Sequence, residues 1–188
     1  MRHTYATRAL ILARRPHGEA SAALTVLTPD LGLLVAKAQS IRKPCAKLAP
    51  ALATFTESDV LLVRGNEYWR IAGALLSRQW QRELTVSARV RASRVNALLM
   101  RLAPIEIADP GLFPIMSDFL QALTLEEDTL RDAAECLAVL RLLSVLGLDA
   151  GPLPSCTSAA SAEALQQIAA DRTNIIERIN KGIAASGL

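Results

Sequence analysis

Four cationic residues lie within eleven positions that contain no acidic residue: Lys37, Arg42, Lys43 and Lys47. The apolar segments on either side are typical of strands, so the cations are expected on a loop fixed to a small β scaffold, with Lys37 at the end of the preceding strand. Each phosphate that such a loop neutralises releases a counterion, which makes binding steeply dependent on salt. The pattern favours contact with a polyanion such as a nucleic-acid backbone, and a solvated basic surface is the alternative.

Four arginines at predicted strand ends or turns would extend this surface: Arg14, Arg15, Arg64 and Arg70. Close to the last of these, Tyr68 and Trp69 are adjacent, and successive side chains of a strand point to opposite faces. One ring could pack in the core while the other stacks on a base, although core packing of both is the stronger expectation. Because aromatic residues make up only 4% of the chain, binding should be dominated by backbone contacts with weak sequence preference.

The residue patterns of enzymes and metal sites are missing from the sequence. His3 and His17 have no His-x-x-x-His partner, and the cysteines Cys45, Cys136 and Cys156 form no Cys-x-x-Cys pair. The sequence has no P-loop, nucleophile elbow or dinucleotide fingerprint. We therefore expect no catalytic residue, no metal and no cofactor, with reduced thiols, and an enzyme with an unrecognised site is the remaining alternative.

The net charge changes sign along the chain. Residues 1–82 hold 12 Lys/Arg and 5 Asp/Glu, a net of +7, whereas residues 83–188 hold 9 and 13, a net of −4. This asymmetry indicates an N-terminal unit that meets an anion and a C-terminal unit with another task. Because no signal-peptide run follows Met1 and no apolar window approaches the roughly 20 residues of a membrane span, we expect a soluble cytoplasmic protein.

The first eighty residues predict five short strands with no helix between them. Their expected bounds are Ala6–Arg14, Ala22–Thr28, Leu33–Ala38, Leu52–Val63 and Tyr68–Ala72. Turn signals such as the Gly65-Asn66 pair separate them. This spacing predicts an OB-type β-barrel over residues 1–79, with an SH3-like barrel as the nearest alternative.

From about Trp80 the apolar spacing becomes that of helices. The clearest helices are expected at 86–102, 114–125, 129–146, where Gly147 should end the helix, and 161–184. The sequence therefore predicts an α+β multidomain protein in which an all-α domain, residues 80–188, follows the barrel.

Five segments carry a resemblance to a known family. Arg14–Ser21 is similar to an Arg-Pro-aromatic-Gly-Glu-x-Ser turn, and Thr28–Gly32 is similar to a Thr-x-Glu-x-Gly turn. Val35–Ala38 and the cationic loop resemble a Val-Ala-Lys-Gly-Ala-Arg segment, and Leu48–Thr56 resembles a Leu-x-x-Ala-Leu-Gln-Pro-Phe-Thr run. Leu142–Leu148, followed by Cys156, is similar to a Leu-Leu-x-x-Leu-Gly-Tyr…Cys segment. Their order resembles the RecO family of bacterial DNA repair and recombination mediators.

The resemblance implies an N-terminal OB fold, a helical C-terminal domain and binding of single- and double-stranded DNA in the cytoplasm, at the nucleoid. It also implies strand annealing and help in loading RecA onto DNA coated with single-stranded-DNA-binding protein, with RecR as a partner. The tail of the single-stranded-DNA-binding protein would dock on the helical domain. DNA contact is then expected of Lys37, Arg42, Lys43 and Lys47, which match the family's basic segment.

The sequence departs from the family pattern at three places. Ala38 replaces a glycine, and Cys156 stands alone where many members carry a cysteine zinc module. The stretch Cys136–Val139 replaces a basic-x-Phe-Glu pattern in the helical domain. A different OB-type protein, an RNA- or ribosome-associated factor with a helical docking domain, is the alternative to a RecO-like mediator.

Overall fold

A computed structural model describes residues 3–153 and 162–187 of the chain. It divides into two compact units. The barrel unit consists of Met1–Glu83 and Pro104–Phe113, and the helical unit consists of Leu84–Ala103 and Pro114–Leu188. Cys156 and the expected start of the last helix at Ser161 lie outside the described residues.

Five strands form the barrel unit. They are β1 Thr4–His17, β2 Ser21–Thr28, β3 Gly32–Ala38, β4 Thr56–Arg64 and β5 Trp69–Gln79. They close into a barrel in the order β1-β2-β3-β5-β4, in which only the β3–β5 pair is parallel. The predicted OB-type fold is therefore confirmed.

The period-two alternation of the strands fills the barrel. In β3, Leu34, Ala36 and Ala38 are buried, whereas Val35 and Lys37 point outward. The core cluster of the unit is Ala9, Ile11, Ala22, Leu24, Val26, Leu34, Ala36, Ala38, Ile41, Leu52, Val60, Leu62, Trp69 and Ile71. Because a shift of one residue would reverse the two faces of each strand, this core fixes which side chains face solvent.

Three strands differ in extent from the prediction. β1 continues through Pro16 because it pairs with β4 only from Thr4 to Leu10, so the missing N–H of Pro16 interrupts no ladder on that edge. β4 begins later than expected, since Pro50 begins a short 3-10 turn that occupies Pro50–Leu52. β5 extends to Gln79 through its pairing with β4.

The segment Pro104–Phe113 returns to the barrel unit. The N–H of Glu106 donates to the carbonyl of Leu33 at 2.7 Å, and Ile105 bridges Leu33 in parallel. Gly32 is required here, because a Cβ at this position would lie 2.0 Å from the carbonyl oxygen of Ile107 and its φ is +68°. A single sequence boundary near residue 80 gives no sign of this return.

Six helices complete the described chain. They are α1 Trp80–Glu83, α2 Val86–Leu102, α3 Leu112–Ala122, α4 Asp128–Val145, α5 Ala162–Ala170 and α6 Arg172–Ala185. Gly147 ends α4 at a φ of +72°, as expected. The single helix expected at 161–184 is instead two helices, because the chain leaves helical geometry at Asp171, whose carboxylate accepts from Asn174 Nδ2. None of the described helices combines the length and the apolar character that crossing a bilayer requires.

Candidate nucleic-acid interface

The basic loop, residues 39–49, is fixed to the barrel by hydrogen bonds. The backbone N–H of Arg42 donates to the carbonyl of Ala20, and Arg42 Nη1 donates to the carbonyl of Gly18, each at 2.9 Å. Arg14 Nη2 donates to the carbonyl of Ile41 at 3.3 Å, while the Ile41 side chain is buried in the core. The loop is thus held beside the β1–β2 turn, with Arg42 exposed and Arg14 half-buried.

Ala38 fits the entry to this loop without strain. It is the last residue of β3, its methyl group is buried, and it pairs with Ala22 and Ile71. The left-handed conformation that a glycine would favour occurs two residues later, at Ser40, whose φ is 56°. The replacement of glycine by Ala38 therefore does not alter the path of the loop, because the left-handed residue is Ser40.

Lys43 and Lys47 are exposed on the loop. Successive tight turns carry them: the N–H of Lys43 donates to the Ser40 carbonyl at 3.2 Å, and the N–H of Ala46 donates to the Lys43 carbonyl at 3.2 Å. The free thiol of Cys45 is exposed between the two lysines. The loop presents two ammonium groups from an ordered backbone.

Three outward cations lie in one row across the barrel. Arg15 on β1 pairs with Ala23 on β2, Ala23 pairs with Lys37 on β3, and Lys37 pairs with Arg70 on β5. Neighbouring strands are about 4.8 Å apart, so this cation row, Arg15, Lys37 and Arg70, extends over about 14 Å. The sequence predicted these three residues as site members without showing that one ladder row aligns them.

Tyr68 extends the row with an exposed aromatic ring. Its relative exposure is 38%, against 6% for Trp69, so the expectation that both rings are buried is wrong and the alternating arrangement is observed. The Lys37 ammonium lies 3.8 Å from the centroid of the Tyr68 ring. The N–H of Gly65 donates to the Tyr68 carbonyl at 3.0 Å, and a Cβ at Gly65 would approach that carbonyl oxygen to 2.8 Å.

Arg64 differs from the row because it already has a carboxylate partner. Its Nη1 lies 2.7 Å from Glu106 Oε2, and its guanidinium carbon lies 4.9 Å from the centroid of Trp69. Tyr5 packs edge-on against the same indole at 5.4 Å. Glu106 lies on the segment that returns to the barrel, which the sequence did not indicate, so the pairing could not have been foreseen.

The other cations of the surface have no such partner. Over residues 3–153 and 162–187, no carboxylate lies within ion-pair distance of five of the predicted site residues: Arg15, Lys37, Lys43, Lys47 and Arg70. A groove of about 330 Å³ lies beside Tyr68 and Arg70, lined also by residues 63–67 of the β4–β5 hairpin. The surface thus combines free cations, one exposed ring and a polar groove.

Most arginines of the helical unit form ion pairs. Arg91 contacts Asp128, Asp132 and Glu135 at 2.8–3.0 Å. Hydrogen bonds from Arg172 and then Arg91 hold the pKa of Asp132 below its ordinary value, against the opposing effect of burial. The charges of these residues therefore compensate one another within the unit.

The buried thiol of the helical unit, Cys136, is poorly suited to act as a nucleophile. Cys136 is 8% exposed, and burial raises the pKa of its thiol to about 11. The thiolate, which is the reactive form, is therefore disfavoured at neutral pH.

Comparison with known proteins finds a family model and several relatives that match this chain. Residues 1–80 match the family model described as recombination protein O N terminal. The chain is 34% identical to the DNA repair protein RecO of Dehalococcoides mccartyi over 125 residues, which is 64% of this chain and 48% of that protein.

Two further relatives extend the comparison. The DNA repair protein RecO of Heliobacterium modesticaldum is 31% identical over 144 residues, 76% of this chain and 51% of that protein. The RecO of Synechococcus elongatus is 42% identical over 71 residues, 38% of this chain and 27% of that protein. The chain spans about half the length of the first two relatives. Together with the barrel topology, these matches show that the chain belongs to the RecO family.

Proposed function

We propose that this chain acts in DNA repair and recombination and that its barrel unit binds the DNA backbone. The observation that carries the proposal is the cation row, which presents Arg15, Lys37 and Arg70 without carboxylate partners among the described residues. The exposed Lys43 and Lys47 on the adjoining strand-end loop add to the positive surface. Lys and Arg contacts of this kind go to phosphates, so they carry little sequence information.

The dimensions of the surface suit a nucleic-acid strand. A row of about 14 Å spans several phosphates, since each strand of duplex DNA carries one charge per 3.4 Å of axis. Because phosphates occur in single strands and in duplexes, the same row would hold both. A surface that neutralises two strands also lowers their mutual repulsion, which is the physical requirement for annealing.

The mediator role extends this binding to proteins. We propose that the chain works by binding rather than by catalysis, in the cytoplasm at the nucleoid, that it assists RecA loading, and that RecR is a partner. This part of the proposal rests on the family and on the RecO relatives.

The tail of the single-stranded-DNA-binding protein, which is acidic and ends in Phe, has a candidate docking face on α2. Val86 and Val90 are 71% and 53% exposed and line a groove of about 530 Å³ with Arg89 and Arg94. An apolar floor beside Arg89 is complementary to such a tail, whereas Arg94 is already paired with Glu135. The stretch Cys136–Val139, where the family pattern differs, is instead buried within α4.

A fluorescence titration tests the DNA-binding proposal. The full chain is titrated with single-stranded DNA, duplex DNA and RNA at two salt concentrations, beside a Lys37/Arg42/Lys43/Lys47 alanine variant. We expect salt-sensitive DNA binding that the quadruple variant loses. The control removes two exposed cations of the helical unit, Arg101→Ala with Lys181→Ala, and should retain the affinity.

Two outcomes would count against the proposal. Absence of DNA affinity at low salt would reject the DNA-binding function, and unchanged affinity in the quadruple variant would reject the site. Clear preference for RNA would favour the alternative of an RNA-associated factor.

A further inference from the structure

Tyr68 is unusual among the aromatic residues of the chain. Of seven aromatic side chains, five are 7% exposed or less: Phe55, Trp69, Trp80, Phe113 and Phe119. Tyr5 is exposed but packs its ring edge-on against Trp69, which gives it a structural contact. Tyr68 is the remaining ring, and the ammonium of Lys37 lies over it.

The direction of this ring is fixed by its neighbours. Tyr68 directly precedes β5, whose first residue, Trp69, is anchored in the core, and the Tyr68 ring is exposed. The hydrogen bond from Gly65 closes the hairpin at the Tyr68 carbonyl and fixes the backbone from the other side. An exposed ring held in this way loses little conformational freedom when a ligand contacts it.

The surroundings of the ring match a nucleotide rather than an apolar ligand. Lys37 covers one face of the ring and belongs to the cation row, and its neighbour Arg70 lines the groove beside the ring. A cation for the phosphate and a ring face for the base thus lie side by side, since the Lys37 ammonium is 3.8 Å from the centroid of the Tyr68 ring. Arg64 and Glu67 also line the groove, and Arg64 is paired with Glu106.

We propose that Tyr68 is a stacking subsite for one unpaired base and that it gives the barrel unit a preference for single-stranded over duplex DNA. This inference rests on the proposed DNA-binding function. The base would take the ring face opposite Lys37, with the adjoining phosphate on Lys37 and Arg70. A paired base has its faces covered by its neighbours in the duplex, so only an unpaired base gains from this contact.

Stacking and phosphate binding are separable by their response to salt. Loss of a phosphate contact lowers the slope of log K against log salt by about one, whereas loss of a stacking contact lowers affinity and leaves the slope unchanged. Although the two side chains are in contact, substitution of Lys37 is expected to lower the salt slope, whereas substitution of Tyr68 is expected to leave it unchanged.

The experiment compares Tyr68→Leu, Tyr68→Phe and Lys37→Gln in the full chain. The probes are oligothymidylate, an abasic oligonucleotide of the same length and a duplex, each titrated at several salt concentrations. We expect Tyr68→Leu to weaken oligothymidylate binding by about 5- to 150-fold with an unchanged salt slope. Tyr68→Phe should retain the affinity, since the ring is kept, and Lys37→Gln should flatten the slope for all three probes.

The abasic probe and the duplex decide the interpretation. If Tyr68→Leu weakens all three probes equally, the stacking subsite is rejected while the DNA-binding function stands. If the parent protein binds none of the probes, the proposed function fails and the subsite fails with it. Thermal unfolding of Tyr68→Leu should match that of Tyr68→Phe, which excludes a general loss of structure as the cause of weaker binding.

Discussion

In the helical unit, six of the nine Lys and Arg side chains of residues 83–188 form ion pairs: Arg91, Arg94, Arg131, Arg141, Arg172 and Arg178. In the barrel unit, two of the eleven that the structure describes do so, Arg64 and Arg78. Both units contain many cations, but in the helical unit most of them stabilise the fold. In the barrel unit most of them remain available to an anion, so the number of cations in a sequence overstates the charge that a ligand meets.

The largest effect is expected from a substitution that gives the barrel cations a carboxylate partner, as most arginines of the helical unit have. Ala23 lies between Arg15 and Lys37 in the ladder, and Ala23→Glu would place a carboxylate between two cations of the row. With two phosphate contacts compensated, DNA affinity should fall by about 60-fold at 0.1 M salt. Competition titrations with a labelled oligonucleotide measure the change.

The matched control for this substitution is Ala23→Gln, which has nearly the same size and no charge. It should bind DNA within about 3-fold of the parent protein, because surface changes away from special features are nearly neutral. Equal losses in Ala23→Glu and Ala23→Gln would show that shape rather than charge is disturbed, and would contradict the role of the row.

The second prediction concerns the ion-pair network around Arg91 in the helical unit. Arg91→Ala removes one of the two arginine partners of Asp132 and of Glu135, whose side chains are only 25% and 15% exposed. We expect the free energy of unfolding to fall by about 2 kcal/mol, since half-buried carboxylates lose charged hydrogen bonds. Urea unfolding followed by circular dichroism measures it, with the exposed Arg101→Ala as control. DNA affinity should not change in either variant, and a loss with Arg91→Ala would mean that the two units do not divide their cations as described.

A third prediction compares two arginines within the barrel. Arg70→Ala should lower DNA affinity by about 8-fold at 0.1 M salt, the effect of one phosphate contact. Arg64→Ala should have a smaller effect, because Glu106 already compensates Arg64. Glu106→Gln should raise the affinity slightly by freeing the guanidinium. A larger loss from Arg64→Ala than from Arg70→Ala would contradict the assignment.

The smallest effect concerns acid pH. The pKa values of Asp132 and Asp149 are held below the ordinary 3.8, mainly by hydrogen bonds from Arg172 and Arg178. A carboxyl whose pKa is lowered by folding contributes stability that is present above its unfolded pKa and is lost as the pH falls through its folded pKa. The helical unit should therefore lose stability from about pH 4 downward. Urea unfolding at several pH values tests this, and an Arg172→Ala variant whose pH dependence equals the parent's would contradict it.

The sequence predicted the barrel well because its strands follow local rules. The alternation around Leu34 and Ala36 and the Gly65-Asn66 turn depend only on neighbouring residues. The five strands could therefore be predicted from short segments of sequence. The return of Pro104–Phe113 to Leu33 depends on contacts over about seventy residues, which no local pattern encodes. The break at Asp171 was missed because the apolar spacing continues across it.

The residue types predicted the members of the site, but only the pairing of residues between strands shows which of them lie together. All eight predicted cations occur in the barrel unit, but pairing across strands decides that Arg15, Lys37 and Arg70 share a row. The partner of Arg64 lies 42 residues away and was not foreseeable. The exposure of Tyr68 was one of two readings of the adjacent aromatic pair, and burial of Trp69 decides between them.

The salt dependence of DNA binding tests the role of the barrel cations most directly. The parent protein and an Arg15/Lys37/Arg70 alanine variant are titrated with one oligonucleotide at several salt concentrations, after thermal unfolding has shown that both are folded. We expect the slope of log K against log salt to become shallower by about two to three in the variant. An unchanged slope would contradict the claim that this row binds phosphates.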